Sequence, residues 1–308
     1  MKNIFINPST KRLKAGWRIL LTFAILIGLN IALGETVRAI NGSLKAAGTL
    51  WFTVLGISAT IAAYLGRKYF DRKSLASLGL NLNKQALLDL LFGVANSALV
   101  MLLVFAVMLN VGLIEFDGLS WWTEGVDSAS LSIAVIPAVL ALIWRFMVVA
   151  WWEELFFRGI IFQNIREGLN LKWAITISTL VFALIHAGNP SATVLSTVMI
   201  IIITLQLVYA YLKTQQLWMP IGLHLGWNFF QASIFGFASS GHKSPSLISQ
   251  HPIGPDWLSG GEFGAEGSIL LLPLVFGSII LINLYVNGTR GKQQSQNVLS
   301  FDVSTEGL

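Results

Sequence analysis

The chain has 308 residues, of which 55% are hydrophobic and 11% are charged, and its mean hydropathy is +0.70. A soluble domain needs a more highly charged surface, so these values predict a polytopic membrane protein with membrane lipid as a partner. The net charge is +5, but the basic residues form short clusters between apolar stretches, as in membrane proteins, and we expect no nucleic-acid partner. Cysteine is absent, which excludes disulfides, thiolate nucleophiles and cysteine-ligated metals.

Eight apolar segments of about 20 residues, the length that crosses a bilayer, follow one another along the chain. The fifth is short for a span, and the fourth continues in helical pattern through Arg158 towards Arg166, so the count is seven or eight. The predicted fold class is all-α: a bundle of about eight transmembrane helices around an intramembrane polar cavity. The segments cover about 16–34, 47–66, 86–112, 131–152, 171–187, 192–212, 216–237 and 268–287.

The charges between these segments predict the topology. Basic residues cluster in the N-terminal tail, in 67–84, in 158–172 and after residue 289, whereas the loop 113–130 is acidic and has no lysine or arginine. With eight spans, the positive-inside rule places both termini of this integral, multi-pass cell-membrane protein in the cytoplasm. The loop from Ser239 to Gly267 is rich in glycine, serine and proline and is expected to form a structured cap or interfacial segment.

Three charges stand together at the end of the fourth apolar segment: Glu153, Glu154 and Arg158. Each costs roughly 2.5 to 3.5 kcal/mol at the centre of a bilayer if it has no partner. On a helix, Glu154 and Arg158 are four residues apart and share a face, so they are expected to pair. Glu153 lies about 100° around the helix and stays unpaired, which makes it a candidate general base.

Further polar residues occur inside apolar segments. His186 ends the fifth segment and, taken alone, is read as a structural histidine. His224 and Asn228 in the seventh share a helix face, which is expected to look inward because lipid offers an imidazole and a carboxamide no partner. Gly222 and Gly226 on the same helix predict a close helix approach. Arg145 in the fourth segment is interpreted as a snorkelling or helix-pairing arginine.

These residue types supply what amide hydrolysis needs: a base for water, a donor for the oxyanion and a proton for the leaving amine. Glu153, His186 and His224 can alternatively hold a divalent metal such as zinc, with one coordination position left for water. Two further interpretations stay open, a structural charge cluster and a relay for protons or ions. The sequence has no His-Glu-x-x-His, Gly-x-Ser-x-Gly or Gly-x-Gly-Asp motif.

The motifs resemble those of the CAAX prenyl endopeptidase and bacteriocin-processing family (CPBP, or Abi) of intramembrane proteases. The family pattern is found here as Glu153-Glu154-x-x-x-Arg158, Phe182-x-x-x-His186 and His224-x-x-x-Asn228. The resemblance covers about residues 135–285. It implies that Glu153 activates water, that Glu154 and Arg158 support it, that His186 is its partner, and that His224 and Asn228 form the oxyanion or water site.

The resemblance further implies a bundle whose cavity opens to the cytoplasmic half of the membrane, and a protein or peptide substrate, possibly lipidated. It leaves open whether a metal is used. We expect N-terminal helices in 1–130, the catalytic core in 131–288 and a flexible cytoplasmic tail in 289–308. The function predicted is an intramembrane endopeptidase with a glutamate-activated water; the alternatives are a non-catalytic scaffold or immunity-type partner protein, and a proton or ion transporter.

Overall fold

The computed structural model describes residues 4–42, 48–119 and 135–290. The predicted tail falls largely on 291–308, and part of the acidic loop on 120–134; both lie outside the described residues. The predicted all-α class is confirmed. The helices are α1 (Ala15–Asn41), α2 (Thr49–Leu65), α3 (Lys84–Asn110), α4 (Val135–Glu154), α5 (Phe162–Gly168), α6 (Leu171–His186), α7 (Val194–Thr214), α8 (Trp218–Phe229), the short α9 (Asp256–Ser259) and α10 (Leu271–Arg290).

All eight predicted segments are helical, but six of the described helical stretches are long and apolar enough to cross a membrane. The two shorter ones are α6, with 16 residues, and α8, with 12. They carry His186 and His224, so two of the three motifs lie on the short members of the bundle, whereas Glu153, Glu154 and Arg158 lie on a helical stretch of 33 residues. The predicted continuation of the fourth segment is confirmed, because a π-helix, Leu155–Ile161, joins α4 to α5.

Two other π-helical segments continue α2 and α8, at Gly66–Asp71 and Phe230–Ile234.

Helix starts follow local capping chemistry. The Asn83 side chain accepts from the N–H of Ala86 at the start of α3, and the Asn170 side chain accepts from the N–H of Trp173 in α6. A reciprocal pair between Thr193 and Ser196 begins α7.

Helices α3 and α8 pack with their backbones in close contact. A Cβ on Gly226 would lie 2.7 Å from the carbonyl oxygen of Val94, and a Cβ on Gly93 would lie 2.6 Å from the backbone nitrogen of Leu223. The predicted close approach at Gly222 and Gly226 is therefore present, and α3 is the partner helix. Because α3 holds the helix that carries His224, the first part of the chain helps to position the motif residues.

One end of the bundle is held by a network of charges, which we call the basic end. Asp71 accepts from Arg18 (2.9 Å) and Arg67 (2.8 Å), and all three side chains are buried. Glu167 of α5 pairs with Lys73 at 2.9 Å and with Arg12. These pairs join the N-terminal segment, α1, the end of α2 and α5 at the end where the predicted basic clusters meet.

The opposite end of the bundle is covered by residues 235–268, called the cap below. The cap contains strand β2 (Ile248–Pro252), which pairs antiparallel with β1 (Ile114–Leu119), as well as α9 and two short 3-10 turns. Gly264, with φ +99°, allows one of the tight turns. The prediction that Ser239–Gly267 forms a structured cap is confirmed.

Candidate functional site

Glu153, Glu154 and Arg158 lie where α4 changes into its π-helical continuation. Arg158 donates from a terminal guanidinium nitrogen to Glu154 Oε1 at 2.9 Å, and both side chains are fully buried. The predicted ion pair between these residues is therefore present. A π-helical segment is frequent at functional sites because the inserted residue changes which side chains face inward.

His224 completes this group from the neighbouring helix α8. Its Nδ1 lies 2.9 Å from Glu154 Oε1, and because a carboxylate only accepts, Nδ1 carries the proton. Its Nε2 is then directed towards Glu153, with 3.7 Å between Nε2 and Glu153 Oε2. Glu154 thus holds both Arg158 and His224, and the ring orientation of His224 is fixed.

Glu153 differs from Glu154, whose Oε2 also has no hydrogen-bond partner among the described residues, in lining a cavity. Its Oε2 is buried and has no hydrogen-bond partner among the described residues. With a neutral His224, the group of Glu153, Glu154, Arg158 and His224 carries one net negative charge, and uptake of one proton neutralises it. A buried group that is one proton short of neutrality is suited to accept a proton.

His186 occupies the end of α6, and Phe182 fixes its position. The Nδ1 of His186 lies 2.9 Å from the carbonyl oxygen of Phe182, and the two rings stack with their centroids 4.3 Å apart. The same Phe182 ring lies 4.7 Å from the guanidinium carbon of Arg158 and edge-on to His224 at 6.3 Å. Phe182 therefore connects the three motifs that the sequence separates.

Asn228 lies one turn beyond His224 on α8, and the cap reaches it. The Ser239 hydroxyl donates to Asn228 Oδ1 at 3.2 Å, which leaves the amide nitrogen of Asn228 free of that contact. Both Asn228 and His224 face the same cavity. The prediction that this helix face looks inward is confirmed.

Glu266 lines the cavity, although no role was predicted for it. It is 4% exposed, and Trp227 donates its indole N–H to Glu266 Oε1 at 2.9 Å. The N–H and the hydroxyl of Ser240 both donate to Glu266 Oε2 at 2.7 Å. Glu266 therefore attaches the cap to α8 between His224 and Asn228; its only sequence signal is a glutamate in a glycine-rich run.

Four motif residues, Glu153, His186, His224 and Asn228, line one cavity of about 330 Å³. Its floor consists of the buried side chains of Phe157, Leu207 and Leu223, and its rim includes the exposed side chains of Ile185 and His242. The charged, imidazole, amide and hydroxyl side chains that line the cavity are those of Arg145, Glu153, His186, Asn189, Gln206, His224, Asn228, Ser239, Ser240, His242, Ser244 and Glu266.

The cavity opens at the end of the bundle opposite the basic end. Helices α6 and α8 begin near the basic end and run towards the cap, and the rim residues belong to the cap and to the end of α6. If the basic end is cytoplasmic, as the positive-inside rule predicts, the cavity opens away from the cytoplasm; the cytoplasmic opening that the resemblance implies stays a prediction. No sequence pattern indicates the direction of the cavity, because it arises from the direction of α6 and α8.

The three residues expected to hold a metal are not arranged as a ligand set. Within 4–42, 48–119 and 135–290, no group of three or more His, Asp or Glu side chains is placed to bind one ion. His224 uses Nδ1 for Glu154, and His186 uses Nδ1 for a backbone carbonyl while stacking on Phe182, so these contacts leave the Nε2 atom of each ring free. We derive no step of the reaction through a metal.

In this all-α membrane bundle, a buried glutamate, two imidazoles and a carboxamide line one cavity. Residues 135–230 match the family model described as Type II CAAX prenyl endopeptidase Rce1-like. This segment contains Glu153, Glu154, Arg158, His186, His224 and Asn228, so the match supports the resemblance to CAAX-type intramembrane proteases that the motifs indicated. No curated protein matches the chain.

Proposed function

We propose that the chain is an endopeptidase in which Glu153 activates a water molecule for attack on a peptide bond inside the cavity. The observation that carries the proposal is the buried Oε2 of Glu153, which has no hydrogen-bond partner among the described residues and lies 3.7 Å from His224 Nε2. A carboxylate with this much unused capacity is expensive to bury for structural purposes alone.

In this mechanism Glu153 takes a proton from water while the water oxygen bonds to the carbonyl carbon. Glu154 acts through His224, because their 2.9 Å contact fixes the ring with Nε2 towards Glu153. The oxyanion that forms is stabilised by the amide nitrogen of Asn228. When the carbon–nitrogen bond breaks, the proton on Glu153 passes to the leaving amine, so that acid and amine products account for all atoms of water.

His186 is assigned to the substrate side of the reaction. Its Nδ1 proton is committed to the carbonyl of Phe182, which leaves Nε2 available at the cavity wall. There it orients the peptide or, when protonated, adds a second donor for the oxyanion. Its stacking on Phe182 restricts the ring to this orientation.

The substrate is a membrane-associated peptide that enters from the cap end. The apolar wall around the cavity, including Ile200 and Ile203, suits an apolar or lipidated segment. If both termini lie in the cytoplasm, as the positive-inside rule predicts, the reaction takes place nearer the opposite face of the membrane.

Cysteine labelling tests the orientation, because the natural chain has no cysteine. We expect a membrane-impermeant maleimide to label Lys243→Cys, in the exposed part of the cap, on intact cells, and Ser74→Cys, at the basic end, only after permeabilisation. The reverse pattern would place the cavity mouth on the cytoplasmic side and overturn this part of the proposal.

Peptide cleavage tests the chemistry. The full chain in lipid nanodiscs is incubated with fluorogenic peptides, lipidated and not, and wild type is compared with Glu153→Ala. We expect Glu153→Ala to lower cleavage by about 10²- to 10⁴-fold while the protein stays folded. Cleavage that survives Glu153→Ala would contradict the proposal, and metal analysis of the same preparations, with chelation, shows whether an ion takes part.

A further inference from the structure

A second cavity, which we call the cap groove, lies between the cap and the start of α7. Its volume is about 350 Å³, which is within the range of small-molecule binding sites. The residues described as lining it are all different from those that line the cavity of Glu153. They are Thr193, Leu195, Asp256, Trp257, Gly260 and Gly267.

The cap groove lies at the level where two membrane-spanning helices begin. Thr193 caps the start of α7, and the N–H of Ile269, two residues before α10, donates to the carbonyl oxygen of Trp257 at 3.0 Å. Helices α7 and α10 have 21 and 20 residues, and a length of about 30 Å matches the hydrocarbon core of a bilayer. The groove is therefore at the membrane interface, where lipid headgroups lie.

The surface next to the cap groove has the residue types of a lipid interface. Trp257 is 56% exposed, and Val194, the first residue of α7, is 84% exposed. Tryptophan is enriched at this depth because its ring is apolar and its indole N–H is polar. Among the residues that the structure describes, none accepts a hydrogen bond from the indole N–H of Trp257, so this donor is available to an oxygen of a headgroup.

Asp256 gives the cap groove a negative charge. Its side chain is exposed and forms no hydrogen bond or ion pair with another described residue. By comparison, Glu262 in the same cap pairs with Lys243 at 2.8 Å. A free carboxylate beside an indole is suited to bind a cation, because the carboxylate supplies the charge and the ring face adds a cation–π contact.

Two features of the cap groove decide which headgroup it fits. Its described lining contains no lysine or arginine, so an anionic headgroup without an amine would meet only like charge. A trimethylammonium group has no N–H and is typically bound by a cage of several aromatic rings, whereas Trp257 is the single aromatic residue of the described lining. A primary ammonium carries three donors that the oxygens of Asp256 can accept.

We propose that the cap groove binds a membrane lipid whose zwitterionic headgroup ends in a primary ammonium, and that this ammonium pairs with Asp256. The acyl chains then follow the apolar surface of Val194 and Leu195 into the bilayer. Gly267, which lines the groove, directly follows Glu266, which attaches the cap to α8. A bound lipid therefore supports the cap from its membrane side, and its binding does not depend on peptide cleavage.

Lipid titration followed by native mass spectrometry tests the proposal on the full chain. The delipidated protein in detergent is titrated with phosphatidylethanolamine, phosphatidylcholine or phosphatidylglycerol that carry the same acyl chains. The apparent dissociation constant of the first bound lipid is measured for wild type and for Asp256→Asn, which removes the charge and keeps the shape. Glu262→Gln, which removes an exposed charge elsewhere in the cap, is the matched control.

We expect wild type and Glu262→Gln to bind phosphatidylethanolamine about fivefold more tightly than the other two lipids, and Asp256→Asn to bind all three within about twofold. Equal binding of the three lipids by wild type, tighter binding of phosphatidylcholine or phosphatidylglycerol, or a preference that survives Asp256→Asn would overturn the assignment. Both substitutions change exposed side chains, so thermal unfolding should match wild type and show that a lost preference is not a lost fold.

Discussion

Two buried charge groups of this molecule use the same residue types in opposite ways. At the basic end, both oxygens of Asp71 are occupied, by Arg18 on one side and by Arg67 and Asn164 on the other. At the cavity, Glu153 has an oxygen with no hydrogen-bond partner among the described residues. The first group binds three helical segments together, whereas the second keeps capacity for a ligand.

The comparison shows that buried charge alone does not indicate function. What separates the two groups is that both oxygens of Asp71 accept hydrogen bonds, whereas an oxygen of Glu153 has no partner and a cavity lies beside it. At the basic end, removing one of the paired charges lowers the free energy of unfolding. At the cavity, Glu154 combines both roles, because it neutralises Arg158 and also orients His224.

The largest effect is expected for Glu154→Gln. The substitution leaves Arg158 buried without a counter-charge, so the free energy of unfolding should fall by about 3–5 kcal/mol. Cleavage by the protein that remains folded should also fall, by about 10²-fold or more, because His224 loses the acceptor that fixes its ring. Denaturation in detergent and cleavage assays measure the two effects, with Glu35→Gln on the surface of α1 as the control; a stable but inactive variant would contradict the double role.

Asp71→Asn should affect stability alone. An asparagine cannot accept on both sides, so one buried arginine loses its partner, and we expect a loss of about 3 kcal/mol, at the lower end for such pairs because Arg18 also lies 3.5 Å from Glu167. Cleavage by the folded fraction should stay within about twofold of wild type. A large loss of cleavage at unchanged stability would mean that the two charge groups are not independent.

Local patterns in the sequence predicted the parts of the site that lie on single helices. The pairing of Glu154 with Arg158 and the inward face of His224 and Asn228 follow from a spacing of four residues. The contact between Glu154 and His224 joins residues 70 positions apart, and no periodicity encodes it. The Asp71 network and the Glu266 contacts were missed for the same reason: their partners come from separate segments brought together by packing.

The helices themselves were predicted well because apolar length is a strong signal, and each of the eight segments is helical. The direction of the cavity was not predictable from that signal. It depends on α6 and α8 being short and on the cap covering their ends, which are properties of the assembled bundle. The membrane side of the site and its chemistry therefore both stay predictions, and the direction of the cavity follows only from the assembled bundle.

A smaller effect is expected for Glu266→Gln, which tests whether the cap positions α8. The single side-chain oxygen of a glutamine can accept from Trp227 or from Ser240. Its NH2 group then faces the other donor and cannot accept a hydrogen bond from it. One lost hydrogen bond corresponds to about 1–1.5 kcal/mol, and cleavage should fall by about tenfold. Glu262→Gln is the matched control, since Glu262 lies in the same glycine-rich run and is 58% exposed. Equal activity of the two variants would remove Glu266 from the positioning of the site.

The smallest effect is expected for Lys73→Met at the basic end. Lys73 is 42% exposed and pairs with the partly exposed Glu167, and such pairs contribute about 0–1 kcal/mol because solvent screens them. Thermal unfolding of Lys73→Met and wild type at low and high salt measures this contribution. If Lys73→Met destabilised the protein as much as Asp71→Asn, the stabilising contribution of the basic end would come from its exposed ion pairs. We expect this contribution to come from the buried Arg18, Arg67 and Asp71, because water cannot solvate a buried charge that has lost its partner.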